Sequence, residues 1–125
     1  MLTPSRAEEL ARRWIAAWNS RDLEHVLTLY DDDAEMVSPV IIRLGINEEG
    51  RLKGKDRLRA YWSTALQGHP DLRFKLLDVF ASPDSVVVRY ENQRGKVICE
   101  FLRFGSDSRI VQGSANHLVD ETGSR

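Results

Sequence analysis

The even spacing of turns in the second half of the chain is the feature that most restricts its fold. Short segments rich in Gly, Ser, Asp and Pro interrupt the apolar sequence after residue 70 at intervals of about ten residues. Antiparallel strands joined by short loops produce this spacing, because each strand must reverse before the next one begins. The pattern therefore predicts a four-stranded meander formed by residues 72–81, 85–92, 96–104 and 109–119.

The first half of the chain has helical patterns instead. Apolar residues near the N-terminus recur at i, i+3, i+4 and i+7, which predicts an amphipathic helix. This helix begins either with Thr3 and Pro4 as N-cap and first residue, or with a capping box of Ser5 and Glu8. It ends at Asn19-Ser20, and its predicted buried stripe is Ala7, Leu10, Ala11, Trp14, Ile15 and Trp18.

Two further helices and an extended segment complete this half. Ser20 is predicted to cap a shorter second helix, and a third helix runs from near Lys55 until Gly68 and Pro70 end it. Between them we expect an acidic turn at residues 31–33, a short strand at Glu35–Ser38 and an extended arm over residues 41–54 with a turn at 47–50. The apolar faces are Leu23, Val26, Leu27 and Tyr30 in the second helix, and Leu58, Tyr61, Trp62, Ala65 and Leu66 in the third.

Helices followed by a meander predict an α+β fold. In this class the helices pack together on one face of the sheet. The length of 125 residues suits one domain with one core, and we expect that domain to span residues 1–125.

Charge and cysteine content exclude several functional classes. The formal net charge is −1, so we expect no general attraction to nucleic acid or to anionic membranes. No apolar run approaches the ~18 residues of a transmembrane helix, and the first residues lack the apolar centre of a signal peptide. A single cysteine, Cys99, excludes an intrachain disulfide and predicts a cytoplasmic location.

The segment VICEFLRF contains one residue that does not suit a buried strand. Side chains alternate between the two faces of a strand, so Glu100 shares a face with Ile98 and Leu102. It is either a chemical group in a pocket, or a structural charge that lies near the pocket mouth or pairs with Arg89 or Arg103. On a concave apolar face, burial raises the pKa of Glu100. The neutral acid then donates a hydrogen bond to a ligand carbonyl, or the carboxylate acts as a general base.

Four motifs occur in order along the chain, and they read WNSRDL, YDDDA, GKDRLRAYW and FLRFGSDSRI. This ordered set resembles the nuclear transport factor 2-like superfamily, and the resemblance extends over nearly the whole chain. Within the superfamily, the chain most resembles the SnoaL-like and ketosteroid-isomerase-like branch. The resemblance implies a cystatin-like cone, in which a strongly curved antiparallel sheet wraps three N-terminal helices around a blind apolar pocket. It also implies dimers through the convex sheet face, but no single reaction, because the fold hosts isomerases, cyclases and dehydratases.

The groups that carry ketosteroid isomerisation are replaced at two of three positions. In that branch of the family an aspartate base, a helix-one tyrosine and a protonated aspartate act together. Matching the motifs places Ser38 at the base, Trp14 at the tyrosine and Glu100 at the protonated aspartate. A serine without an adjacent base does not remove a carbon-bound proton near neutral pH, and an indole N–H only donates. We therefore expect ketosteroid isomerisation by that mechanism to be absent.

His117 is the second candidate for acid–base chemistry. If GSDS is the hairpin loop, Glu100 faces Gly113, and His117 lies on the same face about two pairs along the neighbouring strand. A register shift of one residue turns Asn116 inward instead. A structural histidine at the sheet end or in a dimer contact is the alternative.

Large side chains on the inner faces are expected to line the pocket as well as the core. In a cone, the inner end of the core is also the pocket wall. The other histidines, His25 and His69, receive no role and, with His117, lack metal-ligand spacing, so we expect no metal and no cofactor. The predicted ligand contacts are Trp14, Trp18, Met36, Ser38, Trp62, Phe74, Ile98 and Leu102.

The opposite face of the sheet carries a second apolar feature. Val87, Cys99 and Phe101 alternate away from the pocket and form a patch. A chain of this size rarely leaves such a patch exposed, so we expect a two-fold homodimer that covers it.

These features predict a small cytoplasmic protein that binds a small, mostly apolar molecule in the cone. Any reaction is expected to use cofactor-free acid–base catalysis of the isomerase, dehydratase or cyclase type, with Glu100 and His117 as catalytic residues. The alternative is a non-catalytic ligand- or protein-binding domain of the same fold, whose cone is filled by the three tryptophans.

Overall fold

A computed structural model describes residues 1–119 of the chain. None of the helices in this part of the chain is long and apolar enough to cross a membrane. The helices are α1 Pro4–Ser20, α2 Leu23–Thr28, α3 Pro39–Arg43 and α4 Lys55–Gly68. The strands are β1 Tyr30–Val37, β2 Arg51–Lys53, β3 Lys75–Ala81, β4 Ser85–Glu91, β5 Val97–Phe104 and β6 Ile110–His117.

Local sequence accounts for α1. Thr3 is its N-cap and accepts a hydrogen bond from Arg6 N at 3.1 Å, while Pro4 occupies the first helical position. Of the two predicted starts, the helix uses this one rather than the capping box. The whole predicted apolar stripe is buried: Ala7, Leu10, Ala11, Trp14, Ile15 and Trp18.

The strands form one curved, open sheet in the order β2-β1-β6-β5-β4-β3. Strands β3 to β6 pair antiparallel as predicted, whereas β1 pairs with β6 in parallel. α1 packs against β3 and β4, and α4 packs against β1 and β2, so the helical layer lies inside the curve. The predicted α+β cone is therefore confirmed.

The acidic segment after α2 is a strand and not the predicted turn. Tyr30 belongs to β1, which continues through residues 31–33. Parallel pairing of Tyr30 with Ile110 and of Met36 with Gly113 holds the segment extended. The aspartates lie between these pairs, where the pairing is irregular, and they point partly or fully into solvent. A strand partner distant in sequence thus overrides the turn preference of the aspartates.

The cap of α2 also differs from the prediction. Asp22 is the N-cap, and its Oδ1 accepts a hydrogen bond from His25 N at 3.2 Å. Ser20 instead donates its hydroxyl to the carbonyl of Ala17 at 2.6 Å, within the last turn of α1. Asp22 takes the cap because it precedes the N3 amide by three residues.

The predicted arm at residues 41–54 is not fully extended, because it follows directly on the short helix α3. Ser38 accepts a hydrogen bond from Val40 N at 3.2 Å, and Pro39 occupies the first helical position. The chain then reverses at the predicted turn, where Asn47 Oδ1 accepts from Gly50 N at 2.8 Å, and it returns as β2.

Candidate functional site

The concave side of the sheet encloses a cavity of about 190 Å³. Its wall comes from α1, α3, α4, β1, β4, β5 and β6, and from the segments that join α4 to β3 and β4 to β5. An engineered cavity of ~150 Å³ holds benzene, so this space admits one substituted ring. A mostly apolar wall with a few polar groups is typical of a small-molecule site.

Aromatic side chains form the inner wall of the cavity. Trp14 stacks on Phe74 with ring centroids 5.8 Å apart, and Phe74 lies 4.3 Å from Tyr90. On the other side, Trp18 meets Trp62 edge to face at 5.2 Å. Such pairs contribute about 0.5–1.5 kcal/mol each beyond the burial of their area. The tryptophans therefore form a stiff wall and leave the cone hollow.

The motif WNSRDL holds the segment that closes one side of the cavity. Asn19 donates to the carbonyl of Phe74 at 2.9 Å and accepts from its amide at 2.7 Å. Arg21 donates to the carbonyls of Leu66 and His69, both at 2.7 Å, and so satisfies the C-terminal end of α4. These bonds fix the connection between α4 and β3 against α1.

Glu100 lies buried in the cavity wall, and its residue is only 3% exposed. The hydroxyl of Tyr90 donates to Glu100 Oε1 at 3.4 Å, whereas Oε2 has no hydrogen-bond partner among residues 1–119. Burial raises the pKa of Glu100 to about 8, against a smaller lowering by the Tyr90 hydrogen bond. At pH 7 the carboxyl group is therefore mostly protonated and offers an O–H to an acceptor in the cavity.

A charge pair does not explain the inward carboxyl group. Arg89 forms an ion pair with Asp78 at 2.5 Å, and Arg103 donates to Gln112 at 3.4 Å. Both arginines belong to the outer face of the sheet, as strand alternation predicts. The two candidate partners are therefore on the wrong side of the sheet.

Trp14 and Ser38 have structural partners. The indole N–H of Trp14 donates to the hydroxyl of Tyr30 at 2.9 Å, and Ser38 caps α3 and contacts Tyr61. Burial raises the pKa of Tyr30 far above its usual value, and the nearby Glu100 raises it further. Tyr30 therefore stays protonated and adds a hydroxyl group to the cavity wall.

The pairing of β5 with β6 is shifted from the predicted register. Glu100 pairs with Ala115 and not with Gly113. Phe104 pairs with Ile110, which shifts the pairing by one residue from the prediction. The register shift between Arg103 and Phe104 adds one more residue, so the pairs beyond it are displaced by two. From Gln112 to His117 the shift is an even number, so these side chains stay on their predicted faces, whereas Ile110 takes the inward position opposite Phe104 that the prediction gives to Arg109.

His117 consequently lines the cavity, as predicted, and lies closer to Glu100 than predicted. It pairs with Ile98, the residue next to Glu100 on the same face, so the acid and the imidazole are diagonal neighbours on adjacent strands. Asn116 points outward. Burial, and then the charge of Arg43, lower the pKa of His117, so the neutral imidazole predominates near pH 7.

The structure brings most of the predicted site residues to this one cavity, although their roles stay predictions. Leu102 is the exception, because it is fully buried opposite Gly113 and packs in the core beyond the cavity wall. The predicted residues that line the cavity are Trp14, Trp18, Met36, Ser38, Trp62, Phe74, Ile98, Glu100 and His117.

Sequence reasoning missed several polar residues of the wall. Tyr30 was assigned to a helix, and Arg43 and Arg94 received no role, yet all three line the cavity. The inward residues Ala34, Met36 and Ser38 have the period of two that marks a strand, but the exposed Asp32 interrupts this period before Tyr30. No comparable local signal exists for the arginines, because their position depends on which end of the sheet is open.

The cone-shaped sheet, the helical layer inside it and the cavity between them define the nuclear transport factor 2-like class of folds. The SnoaL-like domain family matches residues 11–113, and the chain belongs to this family. Comparison with curated proteins finds no match.

Solved structures agree with this assignment. A SnoaL-like protein of unknown function from Burkholderia thailandensis is 38% identical, with a TM-score of 0.89 over 94% of this chain and 99% of that one. TerC, co-crystallised with polyporic acid, is 17% identical, with a TM-score of 0.74 over 90% and 91% of the two chains. A candidate polyketide cyclase from Sinorhizobium meliloti is 14% identical, with a TM-score of 0.70 over 86% and 94%. At these low identities the last two show the fold alone.

Replacing Glu100 with Gln is expected to change how stability depends on pH. The native state holds the Glu100 proton up to about pH 8, whereas the ordinary pKa of the group is 4.5. Between these values the unfolded state binds fewer protons, so the free energy of unfolding falls as pH rises. Gln loses no proton, and Glu100→Gln should therefore gain stability relative to the unmodified protein, by on the order of 3 kcal/mol at pH 7.

Urea unfolding at a series of pH values measures this difference. Glu48→Gln, at an exposed position in the turn before β2, is the control and should leave the pH profile unchanged. Parallel profiles for Glu100→Gln and the unmodified protein would contradict the burial argument.

Proposed function

We propose that the protein binds a small, mostly apolar molecule in the cavity and that Glu100 donates a hydrogen bond to its carbonyl group. The observation that carries this proposal is a buried carboxyl group with one unpartnered oxygen at the wall of a hollow. An unsatisfied buried polar group costs about 1–3 kcal/mol, and a ligand acceptor removes that cost. The buried indole N–H of Trp18 also lines the cavity, but the Tyr30 hydroxyl lies close to it, so Glu100 alone carries the proposal.

The protonation states of Glu100 and His117 favour acid–base chemistry. Burial leaves the carboxyl group protonated near pH 7, the reverse of its usual state, and it strengthens the preference of the imidazole for its neutral form. Glu100 then hydrogen-bonds the carbonyl oxygen as an acid, and His117 takes a proton from the adjacent carbon as a base. From the resulting enol, return of the proton to a different carbon shifts a double bond, as in an isomerase. Transfer of that proton to a β-hydroxyl group expels water, as in a dehydratase, and attack of the enol carbon on a second carbonyl group, which takes up the proton, closes a ring, as in a cyclase. None of these steps needs a cofactor.

Similar folds support a small organic ligand. TerC is described with polyporic acid, and the protein from Sinorhizobium meliloti is described as a candidate polyketide cyclase. A binding domain without catalysis is the second candidate, because Trp14 and Ser38 have structural partners and supply no base.

The single cysteine supports a reducing compartment. Cys99 is free and partly buried on the outer face of the sheet, and no second cysteine exists in the chain. The fold therefore needs no disulfide, and we propose a cytoplasmic location.

Acetophenone is expected to bind more tightly than isopropylbenzene, which has a similar shape but no carbonyl. One hydrogen bond from a buried donor predicts a preference of about five-fold at pH 6.5, measured by NMR titration of the indole N–H signals. The preference should fall as pH rises through about 8, where Glu100 ionises, and should stay constant in Glu100→Gln. Equal affinities for both compounds, or no binding of either, would refute the proposed role of Glu100.

Catalysis is expected to appear as hydrogen exchange at the methyl group of bound acetophenone. In D₂O, removal of a methyl proton by His117 and its return as deuterium labels the compound, which NMR detects. His117→Gln should slow this exchange at least about tenfold, while His25→Gln, on the exposed surface of α2, should not. Binding without exchange above the buffer rate would select the non-catalytic function.

The outer face of the sheet supports the second part of the proposal, a homodimer. Phe80, Val87 and Phe101 lie side by side across β3, β4 and β5, with Cys99 in the next row. Phe80 is 57% exposed, which leaves this apolar row in contact with solvent. We propose that a second copy covers the row through a two-fold axis.

Phe101→Arg is expected to convert the dimer to a monomer at micromolar concentration. Two copies of the new guanidinium group would face each other near the axis without a partner. Light scattering reports the mass of the particle. Leu44→Arg, which adds the same charge at an exposed apolar residue outside the row, should remain dimeric. A monomeric unmodified protein would end this part of the proposal.

A further inference from the structure

The charges that line the cavity have one sign at neutral pH. Arg43 and Arg94 line it and are solvent-exposed, so they mark its open end. The acidic residue that lines it is Glu100, which burial keeps mostly protonated at pH 7. In a chain with a net charge of −1, the described wall of this cavity is therefore cationic. Such a wall with low-dielectric surroundings attracts anions.

Arg94 is held at the open end by a well-ordered turn. Asn92 Oδ1 accepts from the amides of Arg94 and Lys96 at 2.9 and 3.0 Å, and Asn92 N donates to the carbonyl of Lys96 at 2.8 Å. Gly95 has φ 76°, the left-handed conformation that glycine adopts without strain. Within residues 1–119, no carboxylate lies within ion-pair distance of the Arg94 guanidinium. Its charge is thus available to a ligand.

Arg43 acts on the cavity from the opposite element. It lies in the last turn of α3, and its charge affects both His117 and Tyr61, which line the cavity. The two arginines therefore belong to separate segments, α3 and the turn between β4 and β5, that border the same opening.

Glu100 and the turn that carries Arg94 lie at opposite ends of the cavity. Glu100 is three residues from Val97, the first residue of β5 after the turn that carries Arg94. At a rise of about 3.3 Å per residue, this separates Glu100 from the turn by about 10 Å. A single ring with polar groups at both ends spans such a distance.

We propose that the ligand is a monocyclic anion, with a carbonyl group that meets Glu100 and a carboxylate or similar acidic group that meets Arg94. This inference rests on the proposed function, which supplies the contact with Glu100. It adds the charge of the ligand and its orientation, with the acidic group at the opening.

The test compares 4-acetylbenzoate with 4-acetylbenzamide, which have nearly the same shape but differ in charge. NMR titration at pH 6.5 should show that the carboxylate binds about five-fold more tightly to the unmodified protein. Arg94→Gln should remove most of this preference. Lys96→Gln is the matched control, because it removes one positive charge from the same turn at a residue that does not line the cavity. It should keep the preference.

The outcomes separate this inference from the proposed function. If acetophenone binds with its expected preference but the carboxylate and the amide bind equally, the ligand is not an anion and the proposed function stands. An equal loss of preference in Arg94→Gln and Lys96→Gln would also overturn the inference. The preference for the carboxylate would then depend on the total charge of the protein and not on a contact with Arg94. If none of the three compounds binds, both the function and the inference are wrong.

Discussion

The burial of α1 inside the curve of the sheet is the interaction on which the rest of the structure depends. Trp14 and Trp18 are the largest side chains of its apolar stripe, and each buries on the order of 150–250 Å². Their rings meet Phe74, Tyr90 and Trp62 from three other segments, so one helix links both ends of the curved sheet. Beyond these flat, rigid rings the remaining space is not filled, and the cavity begins there.

This aromatic layer also sets the chemistry of the site. A carboxyl group placed against it loses its hydration, and the neighbouring groups are hydroxyls of tyrosines that are themselves uncharged. Without a cation beside it, Glu100 retains its proton at a pH where most glutamates are ionised. The same burial disfavours the charged form of His117. The protonated acid and the neutral base of this cavity therefore have one physical cause.

Sequence patterns predicted what depends on local periodicity. The stripe of α1, the four strands after residue 70 and the inward direction of Glu100 all follow from periods of 3.6 or two, and the structure contains each of them. Features set by distant partners were missed. The extended conformation of residues 31–33 depends on pairing with β6. The burial of Leu102 in the core, and not at the cavity wall, depends on where the layer of aromatic side chains ends. The placement of Arg94 at the cavity follows from the curvature of the sheet, which no short segment encodes.

The parallel pairing of β1 with β6 has a consequence for how the protein folds. β6 lies between β1 and β5, so the sheet consists of two separate pieces until this strand is inserted. Tyr30 pairs with Ile110, which is far away in the sequence, so this pair can form only after most of the chain has been made. Contacts of such high sequence separation form slowly in folding. During synthesis, β1 and β2 leave the ribosome well before β6. The edge of β1 that later pairs with β6 therefore stays unpaired until the intervening segments have been made. The cavity that Glu100 lines is therefore complete only when β1 pairs with β6, at the last stage of folding.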